Sequence, residues 1–250
     1  MPSVKAKFLS KASESYVKLC KFKKSDSLNK GFTITCHAGA MLTKPNSLKS
    51  VKEAVDWGAQ IVEFDVSFRP DGTPVIIHNS APSSNQGEYL YKALAIVAES
   101  KNCRINLDIK SKTNLPAVDK LVREYGLFDR VFYTGVFEDW VDTVRNTSEI
   151  PYYLNHKISK TESLNEAEAE AVAKKAIKLG AIGINSNLEF SSKLFTDIMH
   201  KNGLLVSLWT ANSASNMIKC LDAKPDNITT KKPNLLKSLC KIIEMTADLL

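Results

Sequence analysis

An eight-stranded parallel α/β barrel in a single domain is what this sequence predicts, on three observations. Eight short apolar runs alternate with helical stretches almost from end to end. The chain has 250 residues, close to the roughly 250 that one (β/α)8 barrel uses. Acidic, basic and amide side chains gather at the carboxyl ends of the runs, where such a barrel places its chemistry.

The first strand is expected over residues 32–36, followed by a helix over 47–57 that Ser47 can cap and Gly58 can end. The second strand covers 60–66. The turn Pro70-Asp71-Gly72 then folds the chain back through 74–77 to His78, because Pro presets its own φ and Gly accepts φ > 0. A Ser/Asn-rich loop over 80–86 leads into a helix over 88–100. The third to fifth strands fall at 104–109, 131–134 and 151–154, with helices at 117–125, 138–145 and 166–179 after them. The last three strands fall at 181–185, 204–209 and 227–230, each followed by a helix, at 191–202, 213–221 and 234–249. Gly126, Gly180 and Gly203 stand where helices should stop. Such alternation implies parallel strands with helices outside, and eight repeats suit a closed barrel better than an open sheet. No internal repeat or linker divides the chain, so one barrel domain is drawn over 31–250, after a basic segment over 1–30.

Composition narrows the function. The hydrophobic content of 44% is that of an ordinary globular protein, and no apolar run approaches the roughly 18 residues of a membrane span. The N-terminus lacks the apolar core of a signal peptide. Five scattered cysteines without C-x-x-C spacing argue for free thiols and a cytoplasmic setting, against a disulfide or zinc framework. The net charge of +7 comes from lysines spread along the chain without aromatic clusters, which argues against a nucleic-acid partner. Residues 1–30 are denser in lysine, with Phe8, Ala12, Tyr16, Leu19 and Cys20 at roughly helical spacing. They read as a solvated helix across one end of the domain or as one lying on an anionic membrane surface.

Glu63 and Asp65 lie two apart in a strand and share a face. Two hard oxygen ligands on one face suit a divalent cation such as Mg²⁺ or Ca²⁺. His37 follows the first strand, Asp108 and Lys110 end the third, Asn185 ends the sixth, and Trp209 with Asn212 ends the seventh. A single strand-end His is commonly structural and a single Asp-x-Lys commonly a surface ion pair. Acids and bases converging on the same ends of three adjacent strands are another matter, because buried carboxylates are costly unless paired or metal-bound.

These motifs resemble, in order, those of the glycerophosphodiester phosphodiesterase family of (β/α)8 barrels. The chain has His37-Ala38-Gly39, then Lys44-Pro45-Asn46-Ser47, then Gly58-Ala59-Gln60-Ile61-Val62-Glu63-Phe64-Asp65-Val66. It continues with Asp71-Gly72-Thr73-Pro74-Val75-Ile76-Ile77-His78-Asn79, Asp108-Ile109-Lys110 and Trp209-Thr210-Ala211-Asn212. The resemblance implies one divalent cation, Mg²⁺ first, with Ca²⁺ or Mn²⁺ as alternatives, on Glu63, Asp65 and Asp108. It implies His37 and His78 as the acid–base pair, and a substrate or phosphate site at Lys110, Asn46, Asn185 and Trp209. The implied reaction is hydrolysis of a small-molecule glycerophosphodiester to glycerol 3-phosphate and an alcohol.

The chain departs from the family at Ala38, where the family has Arg, at Pro45 for Glu, at Asn79 for Asp and at Asp108 for Glu. Asp-x-Lys at 108–110 is similar to the related sphingomyelinase D-type phospholipases. The short stretch between His78 and Asp108 leaves out a capping insertion, which implies a more open pocket. The alternatives are thus a phospholipase D-like enzyme acting on lysolipids, or a barrel that binds a phosphate compound without turning it over.

Overall fold

The computed structural model describes residues 28–248. The basic helix expected over 1–30 falls almost wholly outside the described residues. Among those described, ten strands form one sheet. The barrel wall consists of β1 (Thr33–Cys36), β2 (Ile61–Phe68), β5 (Arg104–Ile109), β6 (Val131–Val136), β7 (Tyr152–Asn155), β8 (Gly183–Asn187), β9 (Leu205–Trp209) and β10 (Asn227–Thr230). Each pairs in parallel with its neighbour, and β1 pairs with both β2 and β10, which closes the cylinder. The remaining two, β3 (Pro74–Ile76) and β4 (Glu88–Tyr89), extend β2 outward as an antiparallel flange.

The helices are α1 (Leu48–Asp56), α2 (Leu90–Ala98), α3 (Leu115–Glu124), α4 (Val141–Thr147), α5 (Glu166–Leu179), α6 (Lys193–Lys201), α7 (Ala214–Asp222) and α8 (Pro233–Asp248). Side-chain caps start several of them. Ser47, Asn165, Ser192 and Ser213 accept from the backbone N–H of Ser50, Glu168, Phe195 and Asn216 at 3.1–3.3 Å, each cap being worth about 1 kcal/mol. None of the helices in the described part is long and apolar enough to cross a membrane.

The helices bury their apolar faces on the outside of the barrel. Val62, Phe64 and Val66 of β2 share one core with Leu90, Leu94 and Val97 of α2. The alternate residues of each strand face the lumen. At its amino end the lumen is plugged by Ile61, Phe132 and Tyr153. Gly183 is required there, because a Cβ would lie 2.3 Å from the Leu205 carbonyl oxygen and 2.8 Å from the Tyr153 ring. Above the plug the lumen turns polar and many of its groups pair with one another. Thr134 Oγ1 donates to Asn106 Oδ1 at 2.8 Å, and Asn227 Nδ2 donates to Thr35 Oγ1 at 2.8 Å.

Several expected elements differ, among them the sixth strand, which lies at Gly183–Asn187 in place of 181–185 and so puts Asn185 inside it. β2 does not end near Asp65 but runs on to Phe68, because its last residues pair with β3. The helix expected from Glu88 begins at Leu90, since Glu88 and Tyr89 are drawn into the flange. The helix expected from Glu138 opens with a 3₁₀ turn over Glu138–Trp140 before α4 begins.

Candidate active site

The polar groups meet at the carboxyl end of the barrel, in a cleft of about 390 Å³ that holds His37, Glu63, Asp65, His78, Asp108 and Lys110. Strand register brings the acids together. Asp65 and Asp108 are Cα partners across the β2–β5 ladder, and Glu63 lies one lumen position below Asp65. A ligand oxygen from each of Glu63, Asp65 and Asp108 falls within 4.8 Å of the other two.

Each carboxylate is held by neighbours. Glu63 Oε2 accepts from the Ala38 backbone N–H at 2.7 Å. Asp65 is gripped from two sides: its backbone N–H donates to Asn46 Oδ1 at 2.9 Å, and its Oδ2 accepts from Asn46 Nδ2 at 2.6 Å. Lys110 Nζ bridges Asp65 Oδ1 at 3.1 Å and Asp108 Oδ2 at 2.6 Å. Asp108 Oδ1 is buried and has no hydrogen-bond partner. A buried carboxylate oxygen left without a partner is costly, and the three clustered carboxylates are a donor set that fits a cation.

The electrostatics agree. Burial, then the charges of Asp65 and Asp108, push the Glu63 carboxyl well above its usual range. Burial alone would raise Asp65 as well, but the Lys110 charge and the hydrogen bonds from Asn46 and Lys110 hold it below its ordinary value. Burial would lower Lys110, yet the charges of Asp108 and Asp65 outweigh it and raise the ammonium pKa. Three carboxylates with one ammonium leave a net negative pocket, which a divalent cation would neutralise.

The imidazoles approach through different acids. His37 Nδ1 sits 3.0 Å from the Ala38 carbonyl oxygen and 3.7 Å from Glu63 Oε2. Its pKa is lowered, first by burial and then by the nearby charge of Lys231, against opposing contributions from the Ala38 hydrogen bond and the carboxylates. His78 Nδ1 sits 3.2 Å from Asp65 Oδ2, and its side chain is 80% exposed. It stands on the rim where the chain leaves β3.

The residues expected at a substrate site are placed differently from one another. Lys110, Asn185 and Trp209 line the cleft. Asn46 lies just outside it with both side-chain polar atoms engaged by Asp65, so it positions a carboxylate. Asn185 lies in the body of β8 and donates to Asn155 Oδ1 at 3.0 Å. His156 and His200 pair with Glu162 and Asp226, at 3.0 and 2.8 Å, and line no part of the cleft.

The sequence reading missed several residues. Phe137 and Trp140 wall the cleft after β6, and Lys231 brings positive charge to His37 from the end of β10. Each follows a strand end, so the rule that found His37 could have found them. Gly135 gave no such signal. Its φ is +77°, and a Cβ there would lie 2.5 Å from Asp108 Oδ1.

Residues 37–85 match the profile of the Glycerophosphoryl diester phosphodiesterase family. That span contains His37, Asn46, Glu63, Asp65 and His78. No curated protein sequence matches the chain. Among solved structures, a candidate glycerophosphoryl diester phosphodiesterase from Silicibacter pomeroyi DSS-3 is 16% identical. It is covered over 95% of its chain by 88% of this one, with a TM-score of 0.71. A phosphodiesterase from Oleispira antarctica, solved with the product sn-glycerol-3-phosphate, is 17% identical over 84% of this chain and 96% of its own, with a TM-score of 0.68. A glycerophosphodiester phosphodiesterase from Parabacteroides distasonis is 19% identical over 88% of this chain and 99% of its own, with a TM-score of 0.65. At these identities the structural likeness establishes the barrel. Over residues 37–85 the profile match agrees with the family resemblance read from the motifs.

Proposed function

Starting from that family match, we propose that the chain hydrolyses glycerophosphodiesters to glycerol 3-phosphate and an alcohol. One divalent cation, Mg²⁺ first, would be held by Glu63, Asp65 and Asp108. The observation that carries the reading is the three-carboxylate cluster with the unpartnered Asp108 Oδ1, flanked by Lys110 and two imidazoles. When bound, the cation supplies charge neutralisation at the phosphoryl oxygens.

The residues divide the remaining work. Lys110 carries a second positive charge for the phosphate, and Asn46 keeps Asp65 oriented. With His37 Nδ1 donating to the Ala38 carbonyl, its Nε2 lone pair is free. The lowered His37 pKa favours that neutral form, which suits a general base. His78, on the exposed rim, is then the acid that protonates the leaving alcohol. Phe137, Trp140 and Trp209 give the cleft an apolar wall for the carbon skeleton. Lys231, close enough to His37 to act on it electrostatically, brings cationic charge to the side where the family Arg is replaced by Ala38. The reading also carries a barrel domain over 31–250 and a cytoplasmic setting, which the buried free thiols of Cys36, Cys103 and Cys220 favour.

The test is diester turnover on glycerophosphocholine, glycerophosphoethanolamine, glycerophosphoinositol and a lysophospholipid, with and without chelator. Chelation should abolish hydrolysis and Mg²⁺, Mn²⁺ or Ca²⁺ should restore it. His37→Ala or His78→Ala should cost roughly 10²-fold or more in kcat with cation binding retained. Full activity in excess chelator would sink the metal assignment, and wild-type turnover in either His variant would remove that residue from the chemistry.

A further inference from the structure

Three loops at the carboxyl end of the barrel form one continuous sector that contains no acid. They are residues 37–47 after β1, 210–213 after β9 and 231–232 after β10, and none includes Asp or Glu. Because β10 lies between β1 and β9, the three loops are neighbours. Backbone bonds tie them together: Met41 N–H donates to the Lys231 carbonyl at 3.0 Å, and Lys231 N–H donates to Asn212 Oδ1 at 2.8 Å. Lys44, Lys231 and Lys232 bring three positive charges to this sector, and none has an ion-pair partner among the described residues.

The same sector displays apolar side chains. Leu42 is fully exposed at 102%, and Trp209 is 38% exposed at the edge of the cleft. Leu42 is held outward by unusual backbone: Met41 and Leu42 both adopt left-handed φ, at 56° and 65°. Consecutive non-glycine residues there are uncommon and persist only where the surroundings over-determine them. Here the Met41–Lys231 bond and the Thr43 Oγ1 bond to the Ala40 carbonyl, at 2.7 Å, fix the loop on both sides.

We infer that this sector docks on an anionic lipid surface, with Leu42 and Trp209 entering the head-group region and Lys44, Lys231 and Lys232 meeting lipid phosphates. An exposed aliphatic side chain, a rim indole and unpaired lysines without intervening acids are the chemistry that binds such an interface. A soluble polyanion would use the lysines but leave Leu42 without a role. Docking in this orientation turns the open cleft and His78 toward the lipid.

The test is co-sedimentation of the full chain with phosphatidylcholine vesicles, with and without phosphatidylserine, in the presence of chelator. Binding is then read without turnover, so it stands or falls independently of diester hydrolysis. Phosphatidylserine should be required and added salt should weaken binding. Leu42→Ser should weaken it about tenfold, and Lys44→Ser and Lys232→Ser about fivefold each. Far-UV circular dichroism and turnover of soluble glycerophosphocholine should stay at wild-type values. If Leu42→Ser folds poorly, the Lys44→Ser/Lys232→Ser double variant carries the test. Absence of binding, equal binding to pure phosphatidylcholine, or wild-type binding by the variants would overturn the inference. The last result would move the contact to another surface, such as residues 1–27.

Discussion

Gly135 and Asp108 lie in close contact in the cleft. Asp108 Oδ1 packs directly against residue 135, which leaves room for it because nothing larger than hydrogen projects there. Gly135→Ala should therefore lower stability by about 2 kcal/mol, since it adds a clash at a left-handed φ. It should also weaken cation binding in calorimetric titration. Cation affinity equal to wild type would mean that Asp108 finds its orientation without the glycine. The buried thiols make a second residue-scale prediction. Burial pushes Cys36 and Cys220 up to about 12 from an ordinary 9.0. The folded state thus keeps these protons where the unfolded chain releases them. Their contribution to stability is intact below pH 9.0 and is lost as pH rises toward about 12. Thiol-reactive dye at pH 8 should label the native barrel slowly and the unfolded chain fully; fast native labelling at Cys36 or Cys220 would contradict this. At this scale the sequence was legible wherever two functional groups lay two apart in a strand, as Glu63 and Asp65 or Asp108 and Lys110 do. It was silent where function arises across strands. Nothing local to residue 135 says that it faces Asp108, and nothing local to Asn46 says that its amide closes on Asp65.

The flange of β3 and β4 is the element that carries His78, and Arg69 is its main tie. The guanidinium donates to the carbonyls of Gln86 and Gly87, at 3.0 and 2.8 Å, and lies 4.4 Å from the centre of the Tyr89 ring. At the other end, Asn114 Nδ2 holds the Gly72 carbonyl at 3.0 Å and fastens the hairpin tip to the start of α3. Arg69→Ala should loosen the loop between β3 and β4 and lower kcat by roughly tenfold through misplacement of His78. Cation affinity should not change, because Glu63, Asp65 and Asp108 lie in the barrel wall. A fall in cation affinity with kcat intact would reverse that assignment. Most of the eight wall strands were readable because they are short apolar or β-branched runs bounded by turn or capping residues. The flange was not: Glu88 and Tyr89 read as the start of a helix by composition, and only the nearby edge of β3 makes them a strand.

For the whole molecule, the carboxylate cluster is a built-in tension that a bound cation would relieve. Any ligand bound only by the folded state raises its stability by mass action, by about 2.7 kcal/mol at a hundredfold excess over Kd. Mg²⁺ should accordingly raise the melting temperature of the wild type but not that of Glu63→Gln. Glu63→Gln itself should melt higher than the wild type in chelator, since it removes a buried charge from beside two others. Equal shifts with Mg²⁺ in both proteins would place the ion elsewhere. Closure of the barrel was inferable from eight strand–helix repeats and from length, but the polar filling of its lumen was not, because each strand alone shows only alternation. That filling depends on which rung of one strand meets which rung of the next. Asp65 and Asp108 occupy one rung of a continuous parallel ladder, where neighbouring backbones are held about 4.8 Å apart. The gap between these two acids is therefore a lattice spacing of the β-sheet, copied from hydrogen-bond geometry and indifferent to loop length. Acids grafted onto the same paired rung of an unrelated parallel barrel would inherit the same bite. Only side-chain length, such as Asp in place of Glu at 108, remains to tune which ion it grips.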